Sequence, residues 1–310
     1  MKDRLVTVFG GGGFVGRYVV QALLTRGARV RIAQRDPRQA SFLKPLGGLG
    51  QTQFIAADLT KPASIARAIA GAHAVVNLVG TFSGDLDAVH VAGARRIAED
   101  AAAAGASALV HVSAIGADPA SPSRYGRTKG EGEAAVRTAL PSATILRPST
   151  IFGREDAFVN RFAGLIASLP LVPVLKPGAR FQPVFVGDVA AATVAALTDP
   201  ASHGGHTYEL GGPDILTMLE LQRWIAEATG RRGRFLPLPD AAGGLLASLG
   251  FLPGAPITRD QWAMLQSDAV VGADARGLAE LGIVPTPLAA VAPAWLVRFR
   301  PNGRFTRQTA

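Results

Sequence analysis

Short aliphatic and β-branched runs alternate with longer stretches of helical spacing over the first 150 residues. Leu5–Phe9 is a β-rich run that ends in glycines, and Phe14–Leu24 then carries apolar residues at helical spacing. Strands are predicted at Arg29–Ala33 and Gln53–Ala56, followed by a helix at Ile65–Ile69. Ala74–Val79 reads as a buried strand ahead of a long alanine-rich helix from about Leu86 to Ala104. Leu109–Ser113, Tyr125–Leu140 and Thr144–Arg147 complete the series as strand, helix and strand. Strands alternating with helices of this length predict an α/β fold, a parallel sheet with helices on both faces. Right-handed crossovers make that sheet doubly wound.

Beyond Pro148 the alternation breaks down. Pro170, Pro173, Pro177 and Pro183 mark a loop-rich insertion. Val184–Val186 and a helix over Asp188–Leu197 are read as a return to the main sheet, and Tyr208 onward reads as short helices and turns. The expected division is therefore 1–150 plus about 184–206 for the α/β domain. About 151–183 and 207–310 make a smaller C-terminal lobe.

The first strand runs into Gly10-Gly11-Gly12-Gly13-Phe14-Val15-Gly16-Arg17. One glycine permits a tight strand-to-helix turn, one lets the backbone approach a pyrophosphate, and one lets the helix pack on the strand. The helix start then offers free N–H groups and a partial positive charge to phosphates. Two registers fit, Gly10-x-x-Gly13-x-x-Gly16 and Gly11-x-Gly13-x-x-Gly16, and Gly13 and Gly16 belong to both. The motif predicts a nucleotide-binding Rossmann loop.

The end of the second strand bears on which nicotinamide cofactor fits. An acid there would accept hydrogen bonds from a ribose 2′-hydroxyl, but the chain has Gln34-Arg35-Asp36. A guanidinium at Arg35 would pair with a 2′-phosphate, and Arg17 supplies a second cation. Asp36 comes one residue late, before Pro37, and reads as a turn residue. NADP(H) is expected ahead of NAD(H). Asp58, after the third strand, suits either an adenine amino group or a helix N-cap. Asn77, polar in an apolar run, needs a partner, either backbone or cofactor ribose.

Composition narrows the chemistry. Hydrophobic residues make up 48% of the 310 and charged residues 18%, enough to bury a core and exclude disorder. With no cysteine, disulfide scaffolds, thiolate metal sites and Cys nucleophiles are excluded. Of the five histidines only His203 and His206 are close, without a carboxylate at ligand spacing, so no metal is expected. The formal charge is +9, and no acid follows Glu280 while Arg298, Arg300, Arg304 and Arg307 do. Such a basic tail suits phospholipid headgroups or an acidic protein surface. No aromatic platform interleaves the basic residues, so nucleic acid is not an expected partner. No secretory signal and no apolar run of spanning length is read, and a cytoplasmic location is expected.

Ser113 ends the fifth strand, and Tyr125 and Lys129 lie at i and i+4 on the helix that follows. An ammonium beside a phenol lowers the phenol pKa, so Tyr125 could exchange a proton with a substrate hydroxyl or carbonyl steadied by Ser113. The other reading, of equal weight, is that Tyr125 and Lys129 only bind cofactor and pack the helix.

These residues resemble the extended and atypical short-chain dehydrogenase/reductase superfamily over residues 4 to 210. Leu146-Arg147-Pro148-Ser149-Thr150-Ile151-Phe152-Gly153 is similar to its sixth-strand segment, and the resemblance implies that Pro148 contacts the nicotinamide. Ile151-Phe152-Gly153-Arg154-Glu155-Asp156, Ile257-Thr258-Arg259-Asp260 and Leu281-Gly282-Ile283 resemble the nucleotide-binding accessory subunits of respiratory complex I and their bacterial relatives. That resemblance implies a tightly held NADPH with a structural or assembly role, complex I subunits as partners, and a lobe near lipid. Residues 235–253 are the matching apolar piece. With no mitochondrial presequence read, the expectation is a bacterial protein at the cytoplasmic face of the inner membrane. The alternative is a free NADP-dependent oxidoreductase or epimerase using Ser113, Tyr125 and Lys129.

Overall fold

The structure, a computed structural model, describes residues 1–252 and 257–305. Arg307 of the basic tail and Pro253 of the apolar piece lie outside the described residues. The chain divides into two compact units. The first comprises Met1–Pro148, Val186–Leu210 and Gly272–Val284.

In the first unit, β1 (Leu5–Phe9) leads to α1 (Phe14–Thr25), β2 (Arg29–Gln34), β3 (Thr52–Ala56) and α2 (Pro62–Ile69). Then come β4 (Ala74–Asn77), α3 (Ala94–Ala103), β5 (Ala108–Val112), α4 (Arg124–Ala139) and β6 (Thr144–Pro148). The strand Thr207–Leu210 pairs with β6 and completes a seven-stranded sheet. Its order is Thr207–Leu210, β6, β5, β4, β1, β2, β3, with every pairing parallel. The strands nearest the centre are mostly apolar because both faces are covered. Phe9, Val75, Leu109 and Ile145 pack on one face with Ile65 of α2, Ile97 of α3 and Val136 of α4. On this face Thr7 donates its hydroxyl to the Ala68 carbonyl at 2.7 Å, which satisfies the one polar side chain of β1. The chain leaves β1 for β2 on one side and β4 on the other, so the carboxyl ends of β1 and β4 flank a switch point.

Three features depart from the sequence reading. The predicted helix Leu86–Ala104 is two pieces, a π-helical turn over Asp87–Gly93 and then α3. Val184–Phe185 does not return to the main sheet but pairs with Ile151–Phe152 in the second unit, and only the helix Val186–Thr198 joins the first. Thr207–Leu210 and Gly272–Val284 belong to the first unit, where the sequence reading put 207–310 in the lobe. Four residues with two glycines before them are too short a run to show a period, so pairing with β6 rather than local pattern decides that strand.

The second unit comprises Ser149–Phe185, Gly211–Val271 and the chain from Pro285 onward. Phe152, Val159, Ile166, Val172, Leu221, Ile225, Leu288 and Leu296 form its core. Its sheets are two-stranded ladders, among them Val172–Val174 with Phe235–Pro237, where exposed Pro173 faces away from the core. In the Phe152-to-Asp156 string, the buried Asp156 accepts from the amides of Gly153 and Val159 at 3.1 and 2.6 Å and so holds the start of the helix Val159–Ser168. The helix Asp240–Ser248 packs on Trp262 through Gly243, where a Cβ would lie 2.3 Å from the indole. Leu245, Leu249, Phe251 and Leu252 on and after that helix stay exposed. No helix among the described residues is long and apolar enough to cross a membrane.

Candidate functional site

The glycine loop is built for backbone contact. Gly10 has φ +78°, a conformation that disfavours any side chain, and its carbonyl accepts from the Gly13 amide at 3.0 Å. A Cβ at Gly16 would fall 2.2 Å from the Gly10 carbonyl oxygen, so only glycine lets α1 start this close to β1. Gly13 is the N-cap and is exposed, with only the Gly10 oxygen near a Cβ placed there. The first turn of α1 has no acid and no side-chain cap, which leaves the opening amides around Phe14 and Val15 to an outside acceptor. Gly10, Gly13 and Gly16 have the geometry those three jobs require, in the first of the two registers. Gln34, not foreseen, clamps the loop. Its Oε1 accepts from the Gly12 amide at 3.0 Å, and its Nε2 donates to the Asp36 carbonyl at 2.7 Å. The available signal was a polar residue closing an apolar strand.

The residues after β2 sort cleanly. Arg35 is exposed. The Arg17 guanidinium lies over the Phe42 ring, 4.7 Å from its centroid. Asp36 accepts from the Arg38 amide and pairs with the Arg38 guanidinium at 2.9 Å, which holds its carboxyl below the usual carboxylate range. It caps the 3₁₀ turns over Pro37–Leu46 and so is a turn residue. Asp58 accepts from the amide and hydroxyl of Thr60 through one oxygen, at 3.0 and 2.8 Å, which lowers its pKa. The N-cap of α2 is Lys61, so the cap reading of Asp58 is corrected to a turn that begins three residues earlier.

Asn77 is satisfied by protein. Its Oδ1 accepts from the Val79 amide at 3.1 Å, and its Nδ2 reaches Nδ1 of the buried His111 at 3.0 Å. Because an amide nitrogen can only donate, His111 Nδ1 accepts and Nε2 carries the proton. That Nε2 is buried without a partner. Pro148 is buried at the end of β6, where its carbonyl accepts from Ile115 at 3.0 Å.

Ser113 and Lys129 meet at the carboxyl end of β5, and Tyr125 stands one helical turn before Lys129 on α4. Ser113 follows the strand, and its hydroxyl is buried without a hydrogen-bond partner. Lys129 is buried and donates through Nζ to the Val112 carbonyl at 2.8 Å, one residue away from Ser113. Burial pushes the Lys129 ammonium down to about 8, partly offset by Glu133. Tyr125 stands in the first turn of α4, which Ser123 caps by accepting from the Gly126 amide at 3.2 Å. Its ring stacks on Phe82, with centroids 4.4 Å apart and planes 18° apart. The expected lowering of the Tyr125 pKa is corrected. Burial pushes the phenol up to about 12, and Lys129, turned onto Val112, does not counter it.

Two histidines complete the pocket and were not singled out in sequence. His111 is one and His90, on the π-helical turn, is the other. Burial and the Lys129 ammonium push His90 down to about 4, and His111 lies well below its ordinary range for the same reasons. Both imidazoles are neutral at pH 7. Among the described residues no group of His, Asp and Glu could hold a metal ion.

The geometry fits a dinucleotide. An uncapped helix start lies beside a glycine cradle, and an orphaned buried hydroxyl stands at the end of β5. The profile of the NAD dependent epimerase/dehydratase family matches residues 6–211. Subunit 9 of the mitochondrial NADH dehydrogenase (ubiquinone) 1 alpha subcomplex from Arabidopsis thaliana is 37% identical over 322 residues, covering 96% of this chain and 79% of that protein. The ceramide reductase of Caulobacter vibrioides is 33% identical over 261 residues, covering 81% of this chain and 80% of that one. In fold, the triphenylmethane reductase of Citrobacter sp. superposes with a TM-score of 0.76 at 22% identity, covering 94% of this chain and 99% of that one. The chain belongs to the NAD-dependent epimerase/dehydratase family of extended short-chain dehydrogenase/reductase fold and is a close relative of the complex I alpha-subcomplex subunit 9 proteins.

Proposed function

We propose that the protein holds NADP(H) at the glycine loop and serves as an accessory or assembly component of respiratory complex I at the membrane surface. The observation that carries this reading is the 37% identity to a complex I subunit across 96% of the chain. The site geometry supports it. Tyr125 lies under Phe82 with its phenol pushed up to about 12, and Lys129 is turned onto a backbone carbonyl, so the pair is not poised to exchange protons at neutral pH. Gly10, Gly13, Phe14, Val15 and Gly16 would hold the pyrophosphate, and Arg17 and Arg35 the 2′-phosphate. Asp58, through its second oxygen, and Pro148 would border the adenine and nicotinamide ends.

Exposed Leu245, Leu249, Phe251 and Leu252 and the cations Arg298, Arg300 and Arg304 support a lipid-facing role for the second unit. The test is co-purification with complex I from membranes and identification of the released nucleotide. A solitary protein in the soluble fraction overturns the partner, and NADH in place of NADPH overturns the cofactor. Arg35→Ala should weaken NADPH binding roughly tenfold, a loss of about 1.4 kcal/mol, and leave NADH binding unchanged, as calorimetry would read.

One observation favours a second reading, a free NADP-dependent reductase. The Ser113 hydroxyl is buried with no partner, a place where a substrate carbonyl oxygen would be held. The 33% identity to a ceramide reductase supports it. Bound NADPH would supply hydride, and Tyr125 would supply the proton. On this reading Tyr125→Phe abolishes turnover of a carbonyl or quinone panel and spares NADPH binding. No turnover by the unmodified protein ends it.

A further inference from the structure

We propose that His90 is a positioning residue that fixes the Tyr125 ring and the Phe82 loop through one hydrogen-bond chain of a single polarity. His90 is 2% exposed and touches both the Thr81 loop and α4. The Thr81 amide meets its Nε2 at 3.0 Å. A backbone amide can only donate, so Nε2 accepts and the imidazole proton sits on Nδ1. Nδ1 lies 2.9 Å from the Thr128 hydroxyl, which must accept there. Thr128 then spends its own proton on the Tyr125 carbonyl, 3.2 Å away. The chain runs Thr81 amide, His90, Thr128, Tyr125, and each link leaves the next one direction only.

The ring also acts by contact. Its edge abuts the Tyr125 ring at 90°, centroids 5.5 Å apart, while Phe82 covers the face of that ring. Thr81 carries Phe82 as its neighbour and is braced by Ser83, whose amide and carbonyl both bond the Thr81 hydroxyl at 3.2 and 2.9 Å. His90 thus sets the loop and the helix at once.

The backbone is shaped for this. The π-helical turn Asp87–Gly93 widens the helix at His90. Gly132 of α4 meets it closely, since a Cβ there would come within 2.2 Å of the His90 carbonyl oxygen. The charged or titratable groups bearing on the ring are Lys129, Asp87, Tyr125 and His111. Burial and Lys129 keep it neutral, which the acceptor role of Nε2 requires.

The test compares His90→Phe, which keeps a ring but loses both hydrogen bonds, with His90→Gln, which keeps one acceptor and one donor. The inference rests on the reductase reading for its kinetic arm alone. There His90→Phe should lower kcat roughly ten- to a hundredfold with the Kd for NADPH unchanged, and His90→Gln should recover most of it. The other arm needs no turnover. Tetranitromethane should nitrate Tyr125, located by peptide mapping, several-fold faster in His90→Phe than in the unmodified protein. Nitrogen NMR of the unmodified protein should show a protonated Nδ1 and a bare Nε2. Thr128→Val breaks the same chain without touching the ring, and serves if His90→Phe fails to fold. A protonated Nε2, or nitration unchanged in the folded variants, overturns the proposal. Absent turnover with the nitration change intact overturns only the reductase reading.

Discussion

The glycine loop follows β1 and the Tyr125 pocket lies toward β5, with β4 between those strands, and the two are made of different material. The loop presents backbone. Its shape follows from a positive φ at Gly10 and a missing Cβ at Gly16, and it has no protonation state to set. The pocket presents side chains. Ser113, Tyr125, Lys129, His90 and His111 are functional only in certain protonation states and orientations, and burial moves four of them from their ordinary pKa. A backbone site is robust to its surroundings, whereas a side-chain site is only as good as what packs around it. On the proposed reading, that contrast lets the loop hold nucleotide whatever the protonation state of the Tyr–Lys pair.

The largest effect should come from breaking the loop. Gly16→Val drives side-chain atoms into the Gly10 carbonyl and the Gly11 backbone, neither of which can yield. NADPH affinity should fall at least roughly a hundredfold, about 2.7 kcal/mol, with a drop in Tm alongside. Gly13→Ala separates the two consequences. Gly13 has φ −76°, which alanine adopts, and the new methyl would meet only the Gly10 oxygen at 3.2 Å. The fold should survive, and binding should still weaken because the methyl stands at the exposed mouth of the cradle. Equal NADPH affinity in Gly13→Ala and the unmodified protein would show that the phosphates lie elsewhere.

The same contrast governs what could be read in the sequence. The loop was legible because glycine spacing specifies backbone geometry directly, and β1 and α1 flank it as apolar periodic segments. Asp36 was legible as a turn residue because the Asp-Pro step marks a turn. The pocket was less legible. Lys129 reaches the end of β5 beside Ser113, but spacing on a helix does not reveal that it bonds Val112 or that Phe82 covers the Tyr125 ring. His90 and His111 were invisible for the same reason. Their roles depend on Thr81, Thr128 and Asn77, partners that are 9, 38 and 34 residues away in the chain.

The second effect concerns pH. Lys129 has its pKa lowered to about 8 in the folded protein, from an ordinary value near 10.5. Between those values the unfolded chain holds a proton that the folded one has released, so stability rises with pH across that window. Below about 8 the buried ammonium costs the fold its full penalty, on the order of 3 kcal/mol. The Tyr125 phenol, raised to about 12, acts with the opposite sign and only above its ordinary value of 10. Denaturant melts of the unmodified protein should therefore show increasing stability from pH 8 to 10, and Lys129→Met should remove that slope. A flat profile in both would mean that the ammonium is better solvated or better paired than its contact with Val112 implies.

The smallest effect tests the boundary between the two regions. Asp36 directly follows Arg35 at the end of β2, the place where an acid would turn the loop toward NADH. The structure commits it to Arg38, whose amide and guanidinium it accepts from at 3.1 and 2.9 Å. Asp36→Ala removes a cap and an exposed ion pair, so chemical melts should show only a small loss of stability. NADPH and NADH affinities should both stay within about twofold of the unmodified protein, since a turn residue binds neither ribose. A selective loss of NADH binding would instead show that the carboxylate leaves Arg38 for a 2′-hydroxyl when that cofactor is present. Gln34 would then be expected to release Gly12, because its Nε2 is held by the Asp36 carbonyl on the same turn.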